Sequence, residues 1–92
     1  MKYRSRTEIV SMILESVRDG ATKTRIMYKA YLSYAQLKEY LAYLQENGII
    51  RYEEGTQVYR ITEKGIKLSH LYEEIDDMVT SASDNNLVKI AL

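Results

Sequence analysis

Apolar positions recur every three or four residues through the first half of the chain and then switch to a period of two. Ile9, Val10, Ile13, Leu14 and Val17 form one stripe at helical spacing. Ser5 and Glu8 ahead of it have the spacing of a capping box, and Asp19-Gly20 after it is a stop, which predicts a helix over about 6–19. A shorter helix follows over about 23–30, starting near Thr22 or Thr24 and burying Ile26, Met27 and Ala30. Ser33 and Gln36 form a second capping box, Leu37, Tyr40, Leu41 and Leu44 share one face, and Asn47-Gly48 supplies a left-handed stop, so a third helix is predicted over about 34–47. Only Tyr31 and Leu32 separate the second helix from the cap of the third. So short a connection forces a sharp corner, the layout of a helix-turn-helix.

The period then changes. Ile49 to Glu53 and Gln57 to Ile61 are rich in Ile, Val and Tyr, with Glu54-Gly55-Thr56 as a turn between them. A hairpin over about 49–61 is predicted, with Ile50, Tyr52, Tyr59 and Ile61 on its covered face. Three helices followed directly by a hairpin give a winged helix, a mainly α fold with one β-hairpin in the α+β class, here over residues 1–62.

Thr62 can cap a last helix within 63–92. Its apolar positions are Leu68, Leu71, Tyr72, Ile75, Met78, Val79 and Ala82. With Leu68 at heptad position a, the acidic run Glu73, Glu74, Asp76 and Asp77 falls away from the seam and is most simply a solvated face. The stripe is nearly symmetric about Ile75: Leu68 balances Ala82, Leu71 balances Val79, and Tyr72 balances Met78. A stripe that maps onto itself on reversal suits an antiparallel two-fold pairing, and this is favoured over packing back on its own domain, as the first turn around Ile66 is expected to do. Beyond Ala82 the residues Ser83, Asp84, Asn85 and Asn86 break the pattern. Leu87, Val88, Ile90 and Leu92 then form either a short covering helix or a disordered tail.

Composition narrows the function. The 92 residues suit one domain, without room for a second, and self-association would assist so small a core. Nine tyrosines do the aromatic work in the absence of Phe and Trp, which places rings at the edge of the core with their hydroxyls near water. Without cysteine there are no disulfides and no thiolate zinc sites. The N-terminus lacks the apolar run of a signal peptide and no stretch approaches the roughly 20 apolar residues of a membrane span, so a soluble cytoplasmic protein is expected. Net charge is zero but unevenly divided: residues 1–38 hold eight Lys/Arg against three Asp/Glu, and residues 39–92 hold five against ten. A basic half of +5 fits nucleic acid, and an acidic half of −5 is directed elsewhere.

The candidate contacts follow from that division. Lys23, Thr24 and Arg25 open the second helix, where amides and cationic side chains together suit a phosphate. Lys29, Arg51 and Arg60 are possible outer contacts, and Arg4 and Arg6 belong to an N-terminal basic stretch that is either a solvated terminus or a phosphate-contacting arm. Opposite the apolar face of the third helix lie Ala35, Glu39, Ala42, Tyr43 and Glu46, with Gln36 and Lys38 on the flanks. Gln36 can pair with adenine if the capping box does not consume it, while Ser33, Tyr34 and Lys38 are placed for phosphate or sugar. Glu39 and Glu46 oppose binding unless Glu39 reads a cytosine amino group. No enzyme is expected: His70 is the only histidine, on the last helix, and there is no Gly-rich phosphate loop, metal-ligand spacing or nucleophile motif. Neither a cofactor, a metal, a membrane nor a small-molecule substrate is implied.

The segments KTRIMYKAYLSYAQLKEYL, ENGII, YEEGTQVYRIT and EKG resemble the small archaeal winged-helix DNA-binding proteins of the ten-kilodalton chromatin class, over about Thr7 to Leu71. The resemblance implies double-stranded DNA binding by a homodimer joined through an antiparallel coiled coil of C-terminal helices, with no cofactor or catalytic activity. It departs from the family in a tail helix that is shorter and more acidic, and in Glu53 and Glu54 at the hairpin tip, which phosphates would repel. The expected function is therefore DNA binding, as a transcriptional regulator or a nucleoid-organising protein. The competing expectation is a winged-helix protein-docking module with no DNA affinity of its own.

Overall fold

The computed structural model describes residues 4–85, with side chains through Val79. In chain order the elements are α1 (Arg6–Ser16), α2 (Lys23–Lys29), α3 (Tyr34–Glu46), β1 (Ile50–Glu53), β2 (Val58–Ile61) and α4 (Glu63–Asn85). Both capping boxes form: the Glu8 amide donates to Ser5 Oγ at 3.1 Å and the Ser5 amide to Glu8 Oε1 at 2.9 Å, with the Ser33–Gln36 pair doing the same at 3.2 and 3.0 Å. Thr22 caps α2 by accepting from the Arg25 amide at 3.3 Å. Each box satisfies two amides that a helix start would otherwise leave without partners.

The apolar stripes meet in one core. Ile9, Val10, Ile13, Leu14 and Val17 of the first stripe pack with Ile26, Ala30, Leu32, Leu37, Leu41, Leu44, Ile49, Ile50 and Tyr59, and Met12, Met27, Tyr40, Ile61, Leu68 and Tyr72 edge it. The α1 helix stops at Ser16, short of the expected Asp19, with Val17 as its C-cap. The cause is tertiary. Ala21 must leave the helix to exchange hydrogen bonds with Tyr59 of β2 (3.0 and 2.8 Å), and Gly20 at φ +90° makes the turn that carries it there.

The hairpin is antiparallel, pairing Ile50 with Ile61 and Glu53 with Val58. It therefore closes through four residues, 54–57, and Gln57, expected in a strand, sits in the turn at φ +57°. Ile49 is likewise outside β1, because its amide closes α3 by donating to the Leu44 carbonyl at 2.9 Å. Tyr52, expected on the covered face, is 40% exposed and leans on Tyr59 with ring centroids 4.9 Å apart.

The corner between α2 and α3 is a Schellman turn. The Leu32 amide donates to the Met27 carbonyl at 3.0 Å and the Tyr31 amide to the Tyr28 carbonyl at 3.3 Å. This closure requires Tyr31 to be left-handed, at φ +53°. Glycine is the usual occupant, and a side chain there costs about 1–2 kcal/mol. Arg4 offsets the strain: its guanidinium donates to the carbonyls of Ala30 and Tyr31 and lies 6.0 Å from the Tyr31 ring centroid.

Thr62 starts α4 as expected, accepting from the Gly65 amide at 3.1 Å, while its hydroxyl lies 2.6 Å from the Gly48 carbonyl and 2.9 Å from that of Ile49. Gly65 is the contact point of α4 with the body, since a Cβ there would collide with the Ile49 carbonyl and the Ile61 side chain. Ile66, expected to pack back, is instead 44% exposed. Leu68 and Tyr72 perform that packing. The helix also continues past Ala82 to Asn85, since Ser, Asp and Asn are weak helix formers whose cost of up to about 0.7 kcal/mol each relative to Ala is too small to break it. Expectations for residues 1–3, the Ala82 side chain and residues 86–92 lie outside what is described.

Arg4 is thus a structural clamp. Arg4→Ala is expected to lower unfolding stability by about 1.5–3 kcal/mol, the usual worth of a hydrogen bond that involves a charged group. Urea denaturation measures this; an unchanged midpoint would mean that the corner holds without the clamp.

Candidate nucleic-acid interface

The interface begins with what the core leaves outside. Burial of Leu37, Leu41 and Leu44 fixes the rotation of α3, and Ala35, Glu39, Ala42, Tyr43 and Glu46 consequently face solvent. No cation pairs with Glu39 or Glu46 among the described residues. The two alanines leave the backbone of this face approachable.

Cations lie beside this face and ahead of it. On one flank Lys38 Nζ sits 5.7 Å from the Tyr34 ring centroid. On the other, the Arg6 guanidinium lies 5.8 Å from the Tyr40 centroid and 5.9 Å from that of Tyr43, in a shallow depression it shares with Gln36 and Glu39. Lys23, Thr24 and Arg25, at the start of α2, are exposed, as is Lys29 at its end. Among the described residues, none of Lys23, Arg25, Lys29 and Lys38 is in a salt bridge.

Several expected contacts have other employment. Arg4 is half-buried and spent on the corner carbonyls. Gln36 Oε1 accepts from the Ser33 amide, so a two-point pairing with adenine would draw on the same oxygen that holds the cap. Ser33 Oγ accepts from the Gln36 amide, which leaves its hydroxyl hydrogen free. In the hairpin, Arg60 Nε lies 3.0 Å from Glu53 and its Nη1 3.4 Å from the Asp19 carbonyl, while Arg51 approaches the same Glu53 at 3.7 Å. Hydrogen bonds from the Thr56 hydroxyl and then Arg60 hold the Glu53 carboxyl below the usual carboxylate range. Its charge is thus matched within the wing, and Glu54 alone presents a free carboxylate at the tip.

The Arg6 cradle had no signal in the sequence, because Arg6 and the two tyrosines belong to different helices and meet only through tertiary packing. The α4 stripe divides in two. Leu68 and Tyr72 pack against the core of the same chain, and burial, then proximity to Tyr43, raises the Tyr72 phenol above its ordinary value. Leu71, Ile75, Met78 and Val79 are exposed, Ile75 by 57% and Met78 by 71%. Ile75 and Val79 line a groove with Ser11, Met12 and Tyr72 between α1 and α4. The acidic residues Glu73, Glu74, Asp76 and Asp77 are exposed along the same helix, as is His70. Among the described residues no group of His, Asp and Glu could hold a metal, and no helix is long and apolar enough to cross a membrane.

Comparison with known proteins places this arrangement. Residues 3–80 match the family model described as winged helix-turn-helix. Two proteins of Methanocaldococcus jannaschii are similar. The uncharacterized protein MJ0287 is 38% identical over 82% of this chain and 77% of its own length. The uncharacterized protein MJ0290 is 37% identical over 78% of this chain, which spans only 34% of that longer protein. The crystal structure of Sso10a-2, a DNA-binding protein from Sulfolobus solfataricus, superposes with a TM-score of 0.75 at 32% identity, covering 97% of both chains. The chain belongs to the winged helix-turn-helix family, among its small archaeal members.

Proposed function

We propose that this protein binds double-stranded DNA as a homodimer, with α3 in the major groove, and serves as a transcriptional regulator or nucleoid-organising protein in the cytoplasm. The observation that carries the reading is the set of exposed cations that form no salt bridge among the described residues, Lys23, Arg25 and Lys38, around the outward face of a helix-turn-helix. The description of Sso10a-2 as DNA-binding supports it. Lys23 and Arg25 at the start of α2, with Thr24 between them, are suited to phosphate on one side of the groove, and Ser33, Tyr34 and Lys38 to phosphate or sugar near the start of α3. Lys29 and Arg51 are outer contacts. Arg60, held by Glu53, is at most a weak one.

Lys23→Ala combined with Arg25→Ala is expected to weaken binding to all duplexes alike and to lower the slope of log K against log salt by about two. Unchanged affinity and slope in a titration of the double variant would remove these residues from the interface.

The second half of the proposal is the dimer. Leu71, Ile75, Met78 and Val79 form an exposed apolar stripe on α4, continued in the sequence by Ala82. Its near symmetry about Ile75 suits an antiparallel partner, which would cover the groove beside α1 and add to the contacts Leu68 and Tyr72 make at home. Ile75→Asp is expected to give monomers in sedimentation equilibrium at concentrations where the parent protein is dimeric. A persistent dimer would place the interface elsewhere.

Glu39 and Glu46, facing out from α3 beside a neutral net charge, favour a second reading as a protein-docking module. Duplex affinity that falls steeply with salt distinguishes DNA binding from that alternative.

A further inference from the structure

Resting on the DNA-binding reading, we infer that Glu39 selects sequence, accepting a hydrogen bond from the exocyclic amino group of a cytosine in the major groove. The outward face of α3 carries two carboxylates and no cation, an unfavourable surface for a polyanion if its only task were affinity. Its surroundings compensate for them. Lys38 is held against Tyr34 on one flank, and Arg6 is held against Tyr40 and Tyr43 on the other. A major groove about 12 Å wide is walled by phosphates on both sides. A helix with one cation on each flank meets both walls while its centre faces the bases. Ring contacts restrict both side chains before binding, which reduces the ordering cost on contact.

Arg6 has a second part. It shares one depression with Glu39 and Gln36, so its charge lies beside the carboxylate that must enter the groove. Ala35 and Ala42, one turn before and after Glu39, have no side-chain bulk to hold the helix away from the base edges. The Glu39 carboxylate offers only acceptors. Guanine presents two acceptors in the major groove and thymine an acceptor and a methyl, so neither matches it. Adenine offers an amino donor, but its N7 acceptor stands alongside and repels a second carboxylate oxygen. In a duplex the cytosine amino donor has an acceptor, the guanine O6 of its pair, on one side only and a C5–H on the other, whereas the adenine donor lies between its own N7 and the thymine O4, so cytosine is the base that fits.

The test is selection from random duplexes at low salt with the parent protein, Glu39→Ala and Glu39→Gln. Glu39 is exposed and makes no salt bridge among the described residues, so both variants should keep the parent's thermal unfolding. The parent is expected to enrich cytosine at a fixed position, with about tenfold or greater preference. Glu39→Ala should bind duplex more tightly overall and lose that preference. Glu39→Gln should move it to adenine, whose donor and acceptor match a side-chain amide. Duplex binding without cytosine enrichment by the parent, or the same enrichment in Glu39→Ala, would overturn this inference alone. Failure of the parent to bind any duplex would overturn the DNA-binding reading and the inference with it.

Discussion

The corner at Ala30 and Tyr31 is the constraint on which the rest of the structure depends. Two short helices can hold a fixed angle only if the chain between them has one conformation, and here that conformation is left-handed at a tyrosine. The Schellman hydrogen bonds to Met27 and Tyr28 close the corner from within, and Arg4 secures it from the N-terminal side by binding the carbonyls of Ala30 and Tyr31. The buried residues Ile26, Ala30, Leu32 and Leu37 then hold α2 and α3 against α1. The relative placement of Lys23, Arg25, Ser33 and Lys38 follows from that angle. A stretch of the chain ahead of the first helix is therefore engaged in shaping the interface even where it touches no ligand.

A second junction sets α4. Thr62 caps it while binding the carbonyls at the end of α3, and Gly65 brings its backbone against Ile49. These contacts set the helix beside α1 and leave Leu71, Ile75, Met78 and Val79 exposed. Charge follows the same division. Cations gather around α2 and the flanks of α3, whereas Glu73, Glu74, Asp76 and Asp77 lie along α4. In the proposed dimer, two such interfaces would be carried by one apolar seam, with the acidic faces kept from the phosphates.

Local signals in the sequence account for most of the fold. Ser5 with Glu8, Ser33 with Gln36, and Thr62 mark the starts of α1, α3 and α4 because a cap is made within four residues of chain. The alternation of Ile50, Tyr52, Tyr59 and Ile61 marks the hairpin for the same reason. The departures are those set by distant partners. The α1 helix ends early so that Ala21 can pair with Tyr59, Ile49 closes α3 instead of joining β1, and Ile66 turns outward because Gly65 makes the close contact. At the site, the exposed cations of α2 were legible from position and charge. The diversion of Arg4 to the corner and of Arg6 to Tyr40 and Tyr43 was not, since each joins residues far apart in sequence, and that of Arg60 to Glu53 depends on the register of the hairpin.

The central claim is that the outward face of α3 and the start of α2 together form the DNA-binding surface. Backbone amide chemical shifts of the labelled protein, followed by NMR during titration with a short duplex, test it most directly. The account expects the largest changes at residues 23–25 and 33–46, with the outer acidic face of α4 unmoved. Changes confined to α4 or to the hairpin would contradict it.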